Sequence, residues 1–221
     1  MMRPALIGCR SVHAHSASWL GVDLSPSALE THLMSMPAPV PPITTIELLL
    51  ALPDDGLRHE LLDGVHVVSP APRPRHQLAL GLLWSHLFEA IRGRTNVYAF
   101  SSPADIVLGP NTLVQPDLFV VRRTAGQPLE RWADAGVPLL AIEILSPTTA
   151  PRDRGAKRRI YQRAGVAEYW IVDLDARIVE RWRPEDARPE IQDETLEWSL
   201  PGGAAGKLDV GKFFRSVYEE A

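Results

Sequence analysis

The chain is almost free of cysteine: Cys9 is the single one among 221 residues. That excludes a disulfide framework and any zinc site built on paired CxxC motifs, and it fits a reducing compartment, so a cytoplasmic location is expected. The seven histidines are scattered, with neither HExxH nor another paired spacing that would suit zinc. There is no GxSxG, which leaves a nucleophile-elbow hydrolase without support. GGAAGKLD near Gly206 resembles a phosphate loop, yet Pro201 stands where its first glycine belongs and Leu208 where a metal-holding hydroxyl is required; it reads as a turn.

Long apolar runs are also missing. None reaches the roughly 18 to 20 residues of a membrane span, and Gly8, Arg10, His13 and His15 interrupt the short apolar stretch after Arg3 before a secretory core can form. Positive charge is not in excess either. Lys and Arg total 23 against 27 Asp and Glu, a net charge of -4, which argues against coating nucleic acid by bulk charge and leaves room only for a local basic cleft. Carboxylates and histidines are then the available ligands for a hard metal.

What is present is the composition of a globular protein, with 45% hydrophobic and 23% charged residues. Four of the six residues from Pro37 to Pro42 are proline, a break that divides the chain into a disordered N-terminal extension and linker, 1–42, and a folded domain, 43–221. Thr44 or Thr45 can cap a short helix over TIELLLAL. Arg58 to Ser69 reads as a hairpin turning at Asp63-Gly64, a pair that tolerates positive φ. Leu78, Leu82, Trp84, Leu87, Phe88 and Ile91 form the apolar stripe of a long helix from about Pro74 to Arg92, stopped by Gly93. Extended segments follow at Asn96–Phe100, Ala104–Leu108 and Leu113–Val121.

AIEIL at Ala141–Leu145 and EYWIVD at Glu168–Asp173 are apolar on both faces and read as buried central strands. A charged helix, Arg152 to Ala164, lies between them, so strand, helix and strand form a crossover with parallel neighbours. Ile178–Arg183 is expected as an antiparallel edge, and Val210–Tyr218 as a terminal helix. Trp84, Trp170 and Trp182 sit in apolar patterns that suit a core better than base-stacking platforms. The expected class is an α/β domain with a mixed central sheet flanked by helices.

Two carboxylates occupy positions their surroundings do not explain. Asp117 follows a proline at the mouth of the apolar strand LFVV, and Glu143 interrupts LLAIEIL, where an unpaired charge is costly. Each could be a salt-bridged structural carboxylate. Brought together from adjacent strands, they would suit a hard divalent ion such as Mg²⁺. Asp153, Lys157 and Tyr161, spaced i, i+4, i+8, fall along one side of the charged helix. They could be an exposed helix pair and its neighbour, or they could face the Glu143 strand, because ILSPTTAPRD leads off the strand end where open α/β sheets keep their sites. Residues 150–164 hold six basic residues against one acidic, a local balance of +5. This run could attract a phosphate backbone or be a solvated face.

The run AIEILSPTTAPRDRGAKRRIYQRAGVAEYWIVD, with PDLFVV and ELLDGVHVVSPAPRPRH upstream, resembles the "Uma two" family of restriction endonucleases, a branch of the PD-(D/E)XK nuclease superfamily. The likeness spans about Thr44 to Arg183. It implies a restriction-endonuclease-like fold and a Mg²⁺- or Mn²⁺-dependent endonuclease acting on nucleic acid, DNA in particular. By resemblance Asp117 and Glu143 are the metal carboxylates, with the Ile144 backbone carbonyl as a further ligand. The lysine usual two residues after the Glu is Leu145 here, so the resemblance implies one supplied by the next helix, Lys157. Glu60 is implied as an additional acid, and His76 as a group that positions water or phosphate; the plainer readings are a solvated hairpin Glu and a surface or capping His. A twofold homodimer is compatible with cutting two strands. The alternative is a non-catalytic relative that keeps the fold and binds nucleic acid or a partner protein, a reading that Leu145 keeps open.

Overall fold

The computed structural model describes residues 42–123 and 128–220. The expected disordered extension, 1–42, lies outside the described residues except for Pro42. Helix α1 (Ile46–Leu50) starts at Thr45, whose hydroxyl accepts the Leu48 N–H at 3.4 Å. Strands β1 (Arg58–Leu62) and β2 (Val65–Ser69) form the expected hairpin, with φ of 52° at Asp63 and 83° at Gly64, the paired positive values of a tight primed turn. Helix α2 (Pro74–Ile91) begins with proline, which costs nothing in a first turn whose N–H groups have no helical partner.

The run Leu113–Val121 does not stay one strand. After β3 (Val97–Ser101) and β4 (Ile106–Gly109), it splits into β5 (Thr112–Val114) and β6 (Leu118–Arg122), which belong to different sheets. Pro116 has no N–H to give to a ladder, so the chain crosses between sheets at Gln115-Pro116-Asp117. The smaller sheet has the order β2-β1-β5-β4 and is antiparallel throughout.

The central sheet has six strands in the order β10-β9-β8-β7-β6-β3, with β7 (Leu140–Ile144), β8 (Glu168–Asp173), β9 (Ile178–Trp182) and β10 (Glu190–Gln192). Its β7–β8 pair is parallel and its other pairs are antiparallel, so the sheet is mixed. Strand β9 is antiparallel as expected but interior, because β10 adds beyond it and Glu190 takes the Arg181 guanidinium at 3.0 and 2.5 Å. The crossover from β7 to β8 is a composite helix, α3. It runs as an α-helical turn Ala150–Arg152, a π segment Asp153–Lys157 and an α-helix Arg158–Ala164, closed by Gly165 at φ 79°. A second hairpin, β11 (Thr195–Ser199) and β12 (Ala205–Asp209), leads into α4 (Val210–Tyr218), capped by Asp209.

Strand alternation gives the central sheet two different faces. Leu118, Val120, Ile142, Ile144, Trp170 and Val172 pack with residues of α2, β11, β12 and α4. Phe119, Val121, Ala141, Tyr169 and Ile171 point the other way, toward Ile160 and Tyr161 of α3. Trp170 and Trp182 are buried in these clusters, as expected of core residues, and Trp84 packs partly buried against the first. No helix among the described residues is long and apolar enough to cross a membrane.

Candidate active site

The strand break at Pro116 leaves Asp117 just before β6, held where the Ser102 N–H donates to its backbone carbonyl at 3.1 Å. Next to β6, β7 carries Glu143 on the face that looks toward α3. Both side chains are almost wholly buried, and both border an open cleft of about 460 Å³.

Asp117 Oδ2 accepts the Ile144 N–H at 2.8 Å and His76 Nε2 at 3.2 Å, while Oδ1 accepts Arg58 Nη1 at 2.8 Å. Burial alone would raise the Asp117 carboxyl; the His76 hydrogen bond and the Arg58 charge outweigh it and hold the group well below the usual carboxylate range. Ile144 therefore engages Asp117 through its amide. Glu143 Oε1 accepts Lys157 Nζ at 2.6 Å and the Tyr161 hydroxyl at 2.9 Å, and Oε2 lies 3.7 Å from Arg58 Nη2. The same ammonium donates to Glu60 Oε1 at 2.8 Å, where the Gln115 N–H also donates at 2.8 Å.

The structure thus brings Asp117, Glu143, Lys157, Glu60 and His76 into one cluster of two hydrogen-bonded groups, His76 with Asp117 and Lys157 with Glu143 and Glu60, joined by the Arg58–Glu143 ion pair. It does not give them equal access: Asp117, Glu143 and His76 line the cleft, whereas Lys157 at 1% exposure and Glu60 at 0% sit behind its wall. The expected side of the charged helix also faces this cluster, since Asp153, Lys157 and Tyr161 are all buried. The π segment re-aims the turn between Asp153 and Lys157, and the Asp153 carbonyl is shared by the Arg158 N–H and the Tyr169 hydroxyl.

Charge in the cluster is short on the positive side. Burial pushes the Glu143 carboxyl up; Lys157 pulls it back, but Asp117 and Asp153 repel its charge, and it ends well above the usual carboxylate range. Burial would lower the Lys157 ammonium, yet Glu143 and Glu60 more than offset that and hold it above its ordinary value. Glu60 Oε2 and Asp153 Oδ1 are buried with no hydrogen-bond partner; Arg152 approaches them at 3.9 and 3.7 Å.

The donors fit a hard divalent ion. Among the described residues no three His, Cys, Asp or Glu side chains converge on one metal position, but Mg²⁺ is commonly held by one or two carboxylates, keeping waters at its other positions. Asp117 and Glu143, spanned by one guanidinium, provide such a pair, and the surplus negative charge favours a cation.

The basic run of α3 is mostly not the cleft's lining. Arg154 is paired with Asp173 and Glu180, Arg163 with Asp63, and Arg158 lies over the Trp182 ring. The cleft instead takes its positive charge from Arg58, Arg73, Arg75 and Arg152. Arg58 has no place among the residues expected from sequence, although strand alternation puts it on the same face as Glu60, two positions on.

A mixed sheet with a parallel pair joined by a crossover helix and a buried carboxylate pair at its open end is the architecture of a restriction-endonuclease-like domain; here the lysine comes from the crossover helix. Residues 46–208 match the Uma2 family, described as "Putative restriction endonuclease", and the chain belongs to that family. The fold is similar to a crystal structure described as that of a "putative nuclease belonging to DUF820" from Anabaena variabilis, with a TM-score of 0.66 and 21% identity over 78% of this chain and 98% of that one. Nothing among curated proteins matches.

Proposed function

We propose that the protein is a divalent-metal-dependent endonuclease that hydrolyses phosphodiester bonds in DNA, with Mg²⁺ or Mn²⁺ as cofactor. The observation that carries this reading is the convergence of Asp117 and Glu143, from neighbouring strands, at the wall of a cleft rimmed by arginines. The two carboxylates would hold the ion, with the Ile144 carbonyl as the candidate third protein ligand. When bound, the ion supplies Lewis-acid activation of a phosphoryl oxygen and of a water molecule.

The chain's own residues do the positioning. The Ile144 N–H and His76 fix Asp117 Oδ2, and Lys157 and Tyr161 fix Glu143 Oε1. Because Lys157 is held protonated between two carboxylates, it serves as a fixed positive charge that orients Glu143, not as a base. Glu60 keeps that ammonium in place from behind. Arg73 and Arg75 at the rim attract the phosphate backbone at short range although the chain as a whole is acidic.

The test is nicking of supercoiled plasmid with Mg²⁺ or Mn²⁺, with and without a chelator, by the native protein and by Asp117→Ala and Glu143→Gln. Nicking that needs metal and both carboxylates is the expected result. A second reading, a non-catalytic binder of nucleic acid or a partner protein, is favoured by Arg58 already lying against both carboxylates. DNA retention without cleavage under any metal would select it.

A further inference from the structure

Arg58 stands where a cation shared by Asp117 and Glu143 would stand. Its Nη1 lies 2.8 Å from Asp117 Oδ1 and its Nη2 3.7 Å from Glu143 Oε2. It is poorly held there. Only the Asp117 contact is a hydrogen bond, and Nε and Nη2 are buried without partners, although a guanidinium offers five donors and leaving them unmade is costly. It also has a way out. Its side chain is 24% exposed and lines the cleft, whereas the ammonium of Lys157, the other cation on Glu143, is sealed at 1%. The exchange needs only the side chain to swing: Arg58 is the first residue of β1, paired with Ser69, and the exposed turn before it leaves open space at the strand end.

Building on the metal-site reading above, we propose that Arg58 is an exchangeable counter-ion: it bridges Asp117 and Glu143 in the metal-free protein, is displaced into the cleft by the incoming cation, and there binds a phosphate of the substrate. A guanidinium suits both stations, since its planar fork pairs with carboxylate and phosphate alike. The buried carboxylates are never left unpaired, because one positive group leaves as another arrives. Two consequences follow. Apparent metal affinity is reduced by the fraction of molecules in which Arg58 occupies the site. By the reciprocity of coupled equilibria, metal also raises affinity for the phosphate backbone by releasing an arm to grip it.

The experiment is calorimetric titration of Mn²⁺ into the native protein, Arg58→Gln and Arg152→Gln, followed by DNA binding in saturating Ca²⁺. Arg152→Gln removes the same charge from the cluster without touching Asp117 or Glu143. Expected are Mn²⁺ binding about tenfold tighter in Arg58→Gln, within the usual range of coupling, a change below about threefold in Arg152→Gln, and weaker DNA binding by Arg58→Gln. The opposite signs for metal and DNA are the signature of exchange. Equal gains in metal affinity in both variants would reduce Arg58 to a bulk charge, and unchanged or weaker metal binding in Arg58→Gln would overturn the proposal while leaving the metal site intact. Absence of Mn²⁺ binding to the native protein would overturn the metal reading and this proposal together. Should Arg58→Gln fail to fold, Arg58→Lys keeps the charge but cannot span the pair, and the same opposite signs are expected with smaller steps.

Discussion

The two faces of the central sheet solve the same packing problem with different chemistry. Against α2 and α4, the sheet buries Leu118, Ile142, Ile144, Trp170 and Val172 in a cluster of apolar side chains. Against α3, the same strands bury Ala141, Tyr169 and Ile171 beside Glu143, with Asp117, Asp153, Lys157 and Glu60 alongside. The first face is closed mostly by hydrocarbon, at about 25 cal/mol for each Å² of apolar surface removed from water, with Glu168 and Arg181 the buried charged residues on it. Buried ion pairs rarely improve on a well-packed apolar substitute. The charges of the second face are therefore better understood as a site that the fold tolerates than as part of what holds it together.

Four substitutions would break the contrast between the two faces. Trp170→Ala empties the apolar face and is expected to cost about 3–5 kcal/mol, read by urea unfolding, with little change in Mn²⁺ affinity of the folded protein; a large loss of metal affinity would mean that the two faces are coupled. Lys157→Met, on the charged face, is expected to lower turnover by about 100-fold without loss of Mn²⁺ affinity, and Mn²⁺ should raise its melting temperature more than that of the native protein because the ion replaces a missing charge. Unchanged turnover would remove Lys157 from the mechanism. Tyr161→Phe deletes one donor to Glu143 and should cost about 1 kcal/mol with a several-fold loss of rate.

The smallest effect returns to the apolar side. His86 accepts the Trp198 indole N–H at 3.2 Å, and burial lowers its pKa. Because the folded-state value lies below that of the unfolded chain, the unfolded state takes up the proton first as pH falls. The His86 contribution is complete above about pH 6.5 and is lost below it, levelling off once the folded-state value is passed. In His86→Gln this part of the acid slope of stability should vanish, as measured by melting between pH 5 and pH 8.

Much of this was visible in the sequence, for physical reasons that differ by element. The hairpin at Asp63-Gly64, the parallel pair around the charged helix and the odd placement of Glu143 each follow from local pattern. So did Lys157, whose helical spacing from Asp153 survives the π segment as a shared buried side. The split of Leu113–Val121 between two sheets was not read, since its alternation is continuous and only Pro116 hints at a break. The basic run of α3 stays open to two readings in the sequence because its partners, Asp63, Asp173 and Glu180, lie far away in the chain or on other strands. Arg58 was missed because nothing in its own segment shows that Asp117 and Glu143 will close around it.

The central claim, that Asp117 and Glu143 together hold one divalent ion, is tested most directly by titrating Mn²⁺ calorimetrically into the native protein, Asp117→Ala and Glu143→Gln, with circular dichroism to confirm that each is folded. A saturable site in the native protein that disappears in both variants is the predicted result. Native-like Mn²⁺ binding in either folded variant would contradict it.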